Sequence, residues 1–222
     1  MLMRALILVA TFVALSLSAL AAPILTNGSF ETIVLSSPFD DHNPGDVGGW
    51  MHSGACGGGT DGCFWGVGYS DGGGSITVAG TGHQFVTMGG GFSSSGTSTW
   101  SQLVSGFTIG GVYDLDFMLA GEGTFSGTQM VTAKAQGVGS TMNNFTAPLS
   151  LANYWQNWQP FSLRFTADAA NETISFSSTT QFDVGLDNVS ISQVQSAVPE
   201  PGSIGFMICG LVAAFALWRR LR

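Results

Sequence analysis

Between residues 22 and 198, apolar residues alternate with polar ones, and no 3.6-residue pattern lasts beyond a turn or two before Gly, Ser or Thr interrupts it. Val112-Tyr113-Asp114-Leu115-Asp116-Phe117-Met118-Leu119 sets Tyr, Leu, Phe and Leu against Val, Asp, Asp and Met, the signature of a half-buried strand. Phe161–Phe165 and Thr173–Ser177 repeat it. Leu186 to Ile191 alternates too, with Leu186, Asn188 and Ser190 opposed to Asp187, Val189 and Ile191. Further strands are expected near 25–31, 83–89, 98–107, 129–136 and 145–151, separated by turns such as Gly89-Gly90-Gly91, Gly110-Gly111 and Gly137-Val138-Gly139. Eight or nine strands at this spacing predict an all-β antiparallel sandwich or jelly roll. The span from Pro38 to Gly82 holds fifteen glycines in 45 residues and reads as one long insertion at a loop end, with one or two short strands. Trp50 and Trp100 read as core or sheet-edge residues, and Trp158, at the start of a strand, as core.

Charge narrows the function classes. Only 9% of the chain is charged, against about 25% in an ordinary soluble domain. Residues 22–198 keep two basic side chains, Lys134 and Arg164, against thirteen acidic ones, a formal net of −11. Nucleic-acid backbones require clustered Lys and Arg, so nucleic acid is excluded as a partner. Neutral sugars or screening cations suit such a surface.

Both ends are apolar and carry the remaining arginines. Residues 1–21 run from Arg4 through an apolar stretch to Ala19-Leu20-Ala21, a signal peptide cleaved after Ala21. Residues 198–222 place Pro199-Glu200-Pro201 before an apolar run from Ser203 to Trp218, followed by Arg219, Arg220 and Arg222. Sixteen apolar residues span roughly 24 Å as a helix, short of a ~30 Å hydrocarbon core, and Trp218 with snorkelling arginines covers part of the difference. The basic end stays cytoplasmic, which puts residues 22–197 outside the inner membrane.

That tail resembles the PEP-CTERM sorting signal of Gram-negative bacteria. The resemblance implies processing by an exosortase near Pro199, Glu200 and Pro201, and transfer from the inner membrane to the cell surface or extracellular matrix. The same tail has been labelled an ice-binding protein C-terminal domain, but Thr97-Ser98-Thr99 stands alone where ice-binding solenoids repeat such rows. A second resemblance spans residues 24–194. Leu25–Glu31, His83–Val86 before Gly89-Gly90, Trp100-Ser101-Gln102 and Leu186–Ile191 look like the galactose-binding-like jelly rolls of carbohydrate-binding modules and DUF642-type proteins. It implies that the first and last strands run close together and hold a structural calcium, with Glu31, Asp187 and the Asn27 side chain as ligands beside backbone carbonyls.

Cys56 and Cys63 flank six residues and, in an exported chain, read as a disulfide rather than a metal site. The bridge would stabilise by about 2.5 kcal/mol on the chain-entropy account. Sugar rings stack on exposed aromatic faces, and two loop clusters offer them: Trp65 with Tyr69, and Tyr154 with Trp155. Asp40 to Asp46 is acidic but lacks EF-hand spacing and reads as a solvated loop. Asp114 and Asp116 share one strand face and could mimic a glycosidase pair, yet no nucleophile or metalloenzyme motif accompanies His42, His52 or His83. The sequence therefore reads as an exported, non-catalytic protein that binds exopolysaccharide. The alternatives are a structural envelope protein without a glycan ligand and a glycoside hydrolase.

Overall fold

The computed structural model describes residues 22–32, 48–54, 84–89, 97–121, 128–148, 157–179 and 184–194 with their side chains, and the backbone alone at 39–42 and 62–66. The expected signal peptide, the expected sorting tail with Pro199, Glu200, Pro201, Arg219, Arg220 and Arg222, and the residues Cys56, Tyr69, Tyr154 and Trp155 lie outside the described residues. Among the described residues no helix is long and apolar enough to cross a membrane.

The protein is an all-β sandwich of two antiparallel sheets. The six-stranded sheet runs, in spatial order, β1 (Phe39–His42), β3 (Gly62–Gly66), β4 (Gln84–Met88), β11 (Val184–Gln193), β6 (Val112–Gly121) and β9 (Gln159–Thr166). The five-stranded sheet runs β2 (Met51–Gly54), β5 (Ser98–Ser105), β10 (Asn171–Ser178), β7 (Met130–Gln136) and β8 (Ser140–Thr146). From β4 onward the chain changes sheet at every connection except the β7–β8 hairpin, the jelly-roll pattern that interleaves distant segments.

Alternation explains the packing. Tyr113, Leu115, Phe117 and Leu119 of β6 are buried while Asp114, Asp116 and Met118 face outward, half-buried. The opposing sheet contributes Trp100, Val104, Val131, Ala133, Ile174 and Phe176 to the same core. An aromatic chain crosses between the layers. Phe30 lies 5.3 Å from Trp50, Trp50 lies 6.2 Å from Phe176, and Phe176 meets Phe117 edge-on at 4.9 Å. Both core tryptophans find acceptors for their indole N–H: Trp100 donates to the Thr87 carbonyl at 3.0 Å and Trp50 to the Asn27 carbonyl at 3.1 Å. That removes the penalty of burying an unpaired donor. Trp50 and Trp100 are core residues, as expected.

Four expectations are corrected. Residues 25–31 are not a strand: Asn27 and Phe30 adopt φ of 51° and 57°, and Phe30 N–H bonds back to the Asn27 carbonyl at 3.1 Å. The tight turn drops the Phe30 ring into the core, and that burial offsets the 1–3 kcal/mol typical of a left-handed bulky residue. The strand expected at 145–151 occupies Ser140–Thr146, because the Asp168 carboxylate accepts from the Val138 and Gly139 amides and fixes the hairpin turn earlier. The span 38–82 contributes three strands rather than one or two, and they extend both sheets instead of forming a separate loop end. Among the described residues the strands number eleven. Finally, Trp158 lies outside the core cluster. It is half-buried and meets Phe85 edge-on at 5.0 Å. A Cβ on Gly185 would sit 2.7 Å from its ring, so this tryptophan covers the sheet face opposite to Val184 and Leu186.

Phe30→Ala is expected to destabilise the protein by roughly 3–5 kcal/mol, the usual cost of emptying a buried phenylalanine site. Denaturant unfolding with an unchanged m-value reads this directly. A loss below about 1 kcal/mol would show that the turn does not plug the core.

Candidate functional site

The outer face of the six-stranded sheet holds an open groove of about 550 Å³ over β6, β9 and β11. Cross-strand Cα partners share a face, so register reads out its floor in rows. One row is Ser190–Asp116–Ser162, the next outward is Ser192–Asp114–Arg164, and on the other side Met118 pairs with Pro160 and Asp187. The groove is lined by Ser29, Asp116, Met118, Pro160, Ser162 and Asn188, among others. Hydroxyls, an amide and a carboxylate thus surround a small apolar patch.

A break in β11 shapes one wall. Its pairing with β6 shifts between Asp187 and Ser190, and Asn188 takes φ of 52°. The alternation expected for Leu186 to Ile191 therefore fails: Val184 through Asp187 are all buried, although Val189 keeps its place in the core. The bulge turns the Asn188 amide toward Met118, with Nδ2 4.0 Å from the sulfur. The Val189 amide, freed from the β6 ladder, donates to the Gly28 carbonyl at 2.8 Å. A side chain at Gly28 would collide with the Val189 carbonyl oxygen, so only glycine permits this approach.

The two acids of β6 have different surroundings. Arg164 donates to both oxygens of Asp114 at 2.8 Å, a bidentate pair across the β6–β9 ladder. That hydrogen bonding holds the Asp114 carboxyl below its ordinary value. Asp114 is therefore ionised at neutral pH and is no general acid.

The carboxylates singled out for calcium come together. The Asn27 side-chain oxygen accepts from the Thr32 amide at 3.2 Å, and Glu31 Oε1 accepts from the Gln84 amide at 2.7 Å. Asp187 Oδ1 accepts from the Asn188 amide at 2.7 Å, while its Oδ2 is buried with no hydrogen-bond partner. Burial pushes the Asp187 carboxyl up to about 8; the Asn188 amide pulls the other way, and the neighbouring Glu31 charge adds to the rise. Among the described residues no three His, Cys, Asp or Glu side chains form one metal-ligating cluster. A cation here would draw on Asp187, Glu31 and backbone or amide oxygens, a donor set that suits calcium rather than zinc.

Of the aromatic platform, only the backbone of Trp65 is described, in β3 as the Cα partner of Phe85 and Phe39. Cys63 in the same strand pairs with Thr87. Sequence reading missed Asp116, Ser162, Ser190, Asn188, Met118 and Pro160 as one site. The alternation of β6 gave the outward face of Asp116, but the register that flanks it was not readable.

No protein-family model matches the chain, and no curated protein matches it. Solved structures give distant likenesses. The enzymatically active domain of tailspike protein 4 from bacteriophage CBA120 is 13% identical with a TM-score of 0.47, over 77% of this chain but only 21% of that one. A family 61 carbohydrate-binding module in complex with beta-1,4-galactotriose is 15% identical with a TM-score of 0.41, covering 78% of this chain and all of that one, 100%. A CBM22-1 xylan-binding domain from Paenibacillus barcinonensis is 12% identical with a TM-score of 0.42, covering 80% and 97%. The fold assignment rests on sheet order and register.

The Asp187 shift has a definite sign. Its folded value, about 8, lies above the ordinary 3.8, so the folded state binds the extra proton and stability falls as pH rises between those values. In chelator, the thermal midpoint of the wild type is expected to drop from pH 5 to pH 8 relative to Asp187→Asn. Parallel profiles for the two proteins would show that Asp187 ionises freely in the fold.

Proposed function

We propose that residues 22–197 form a non-catalytic carbohydrate-binding domain, exported and sorted by a PEP-CTERM tail to the cell surface or matrix, where its ligand is extracellular polysaccharide. The observation that carries the reading is the open groove on the six-stranded sheet. Its hydroxyls, amide and carboxylate bond sugar hydroxyls, while Met118 and Pro160 offer apolar contact to ring faces. The absence of any basic side chain other than Lys134 and Arg164 between residues 22 and 198 speaks for a neutral ligand over phosphate.

In this reading Trp65, Tyr69, Tyr154 and Trp155 supply aromatic platforms for sugar rings, and Cys56 and Cys63 form a disulfide that closes the segment between them. One structural calcium, held by Asp187, Glu31 and Asn27, gives the orphaned Asp187 Oδ2 a partner and offsets the repulsion between the two carboxylates. Before processing by an exosortase the tail anchors the chain in the inner membrane.

Co-sedimentation of the purified chain with exopolysaccharide from its producing cells tests the first part. Binding that free sugar reverses, and that the double substitution of Trp65 and Trp155 by Ala weakens at least tenfold, is expected if each ring contributes about 1 kcal/mol. No sedimentation would leave the structural envelope role as the better account. Calcium is read from the thermal midpoint. Millimolar calcium should raise it by several degrees in the wild type and leave Asp187→Asn unmoved, as expected for a ligand bound only by the folded state.

A further inference from the structure

We infer that Asp116 makes the groove selective for neutral glycans over uronate-containing ones, by accepting two hydroxyls of a vicinal diol. The inference rests on the carbohydrate-binding reading of that groove and names its ligand class and the residue that sets it.

Asp114 and Asp116 are equivalent in the sequence pattern, but the fold gives them different neighbours. Asp114 has both oxygens occupied by the Arg164 guanidinium. Asp116, one row further into the groove, is half-buried, and its carboxylate has no hydrogen bond or ion pair among the described residues. An ionised carboxylate is an acceptor only, with two oxygens that can each take an O–H. Its cross-strand partners are Ser162 on β9 and Ser190 on β11, about 5 Å to either side. Serine hydroxyls donate as well as accept, so the row presents acceptor oxygens at its centre and adaptable groups at both ends. Adjacent equatorial hydroxyls of a pyranose fit that order, and Met118 and Pro160 in the next row offer apolar contact to the ring.

The same row rejects acidic sugars. Apart from Arg164, already paired with Asp114, the only basic side chain in residues 22–198 is Lys134. It lies on β7 in the other sheet. A uronate carboxylate entering the groove would lose water beside Asp116 with no unpaired Lys or Arg to compensate, and both the desolvation and the like charge oppose it. Neutral hydroxyls carry no such penalty.

Affinity electrophoresis of the full purified chain tests this, with galactan and xylan as neutral probes and polygalacturonate and alginate as acidic ones. The wild type should be retarded by at least one neutral glycan and by neither polyuronate. Asp116→Asn, which keeps the shape but turns one acceptor into a donor, should weaken neutral-glycan binding about tenfold with the thermal midpoint unchanged. Unaltered neutral-glycan affinity in Asp116→Asn, or polyuronate binding as tight as neutral binding in the wild type, overturns the inference while leaving the carbohydrate-binding reading intact. A wild type that binds no glycan at all overturns both.

Discussion

A single backbone contact organises the functional side of this sandwich: the Val189 amide donating to the Gly28 carbonyl at 2.8 Å. It joins the first turn of the domain to its last strand and satisfies an amide that the β11 bulge removes from its ladder. Everything around the groove follows from it. The turn carrying Gly28 delivers Phe30 to the core, and the bulge carrying Val189 swings Asn188 over Met118. The same junction buries Asp187 within range of Glu31. Three non-glycine residues with left-handed backbone, Asn27, Phe30 and Asn188, cluster at this one place. Such conformations persist only where the surroundings over-determine them, and here a filled aromatic core and two carboxylate-capped amides do so.

The acids of the six-stranded sheet then divide by environment. Arg164 neutralises Asp114, burial disfavours ionisation of Asp187, and Asp116 is left as an acceptor facing the groove. The five-stranded sheet is different in kind. Its outward positions Thr99, Ser101, Thr173, Ser175, Ser177 and Thr132 are half-buried hydroxyls, and Lys134 is its outward charge among the described residues. The two faces of one sandwich therefore offer solvent different chemistry.

Much of the framework was legible in the sequence because strand alternation is a local property. The buried set Tyr113, Leu115, Phe117 and Leu119 follows from period two alone, and Trp50 and Trp100 from size and hydrophobicity. Glu31 and Asp187 were paired through a family resemblance, and the fold does bring them near each other. The misreadings have identifiable causes. Residues 25–31 look extended until the left-handed turn at Asn27 is seen, and Leu186 to Ile191 look regular until Gly28 captures Val189. Trp158 looks like core until Gly185 makes room for it on the opposite face. In the last two cases a partner more than 25 residues away overrides the local pattern, through a contact that no short window of sequence contains, whereas the first turn closes locally on the Asn27 carbonyl.

The sequence by itself determined the all-β class, the inward face of most regular strands, and the acidic, sparsely charged character of the domain. These depend on periodicity and composition, which are additive along the chain. The tertiary structure decided which acid is paired, which is buried and which is free. It also decided that serines from β9 and β11 stand on either side of Asp116. The physical reason is that a carboxylate's state depends on solvent and on neighbours within a few ångströms, and in a jelly roll those neighbours come from strands far apart in the chain.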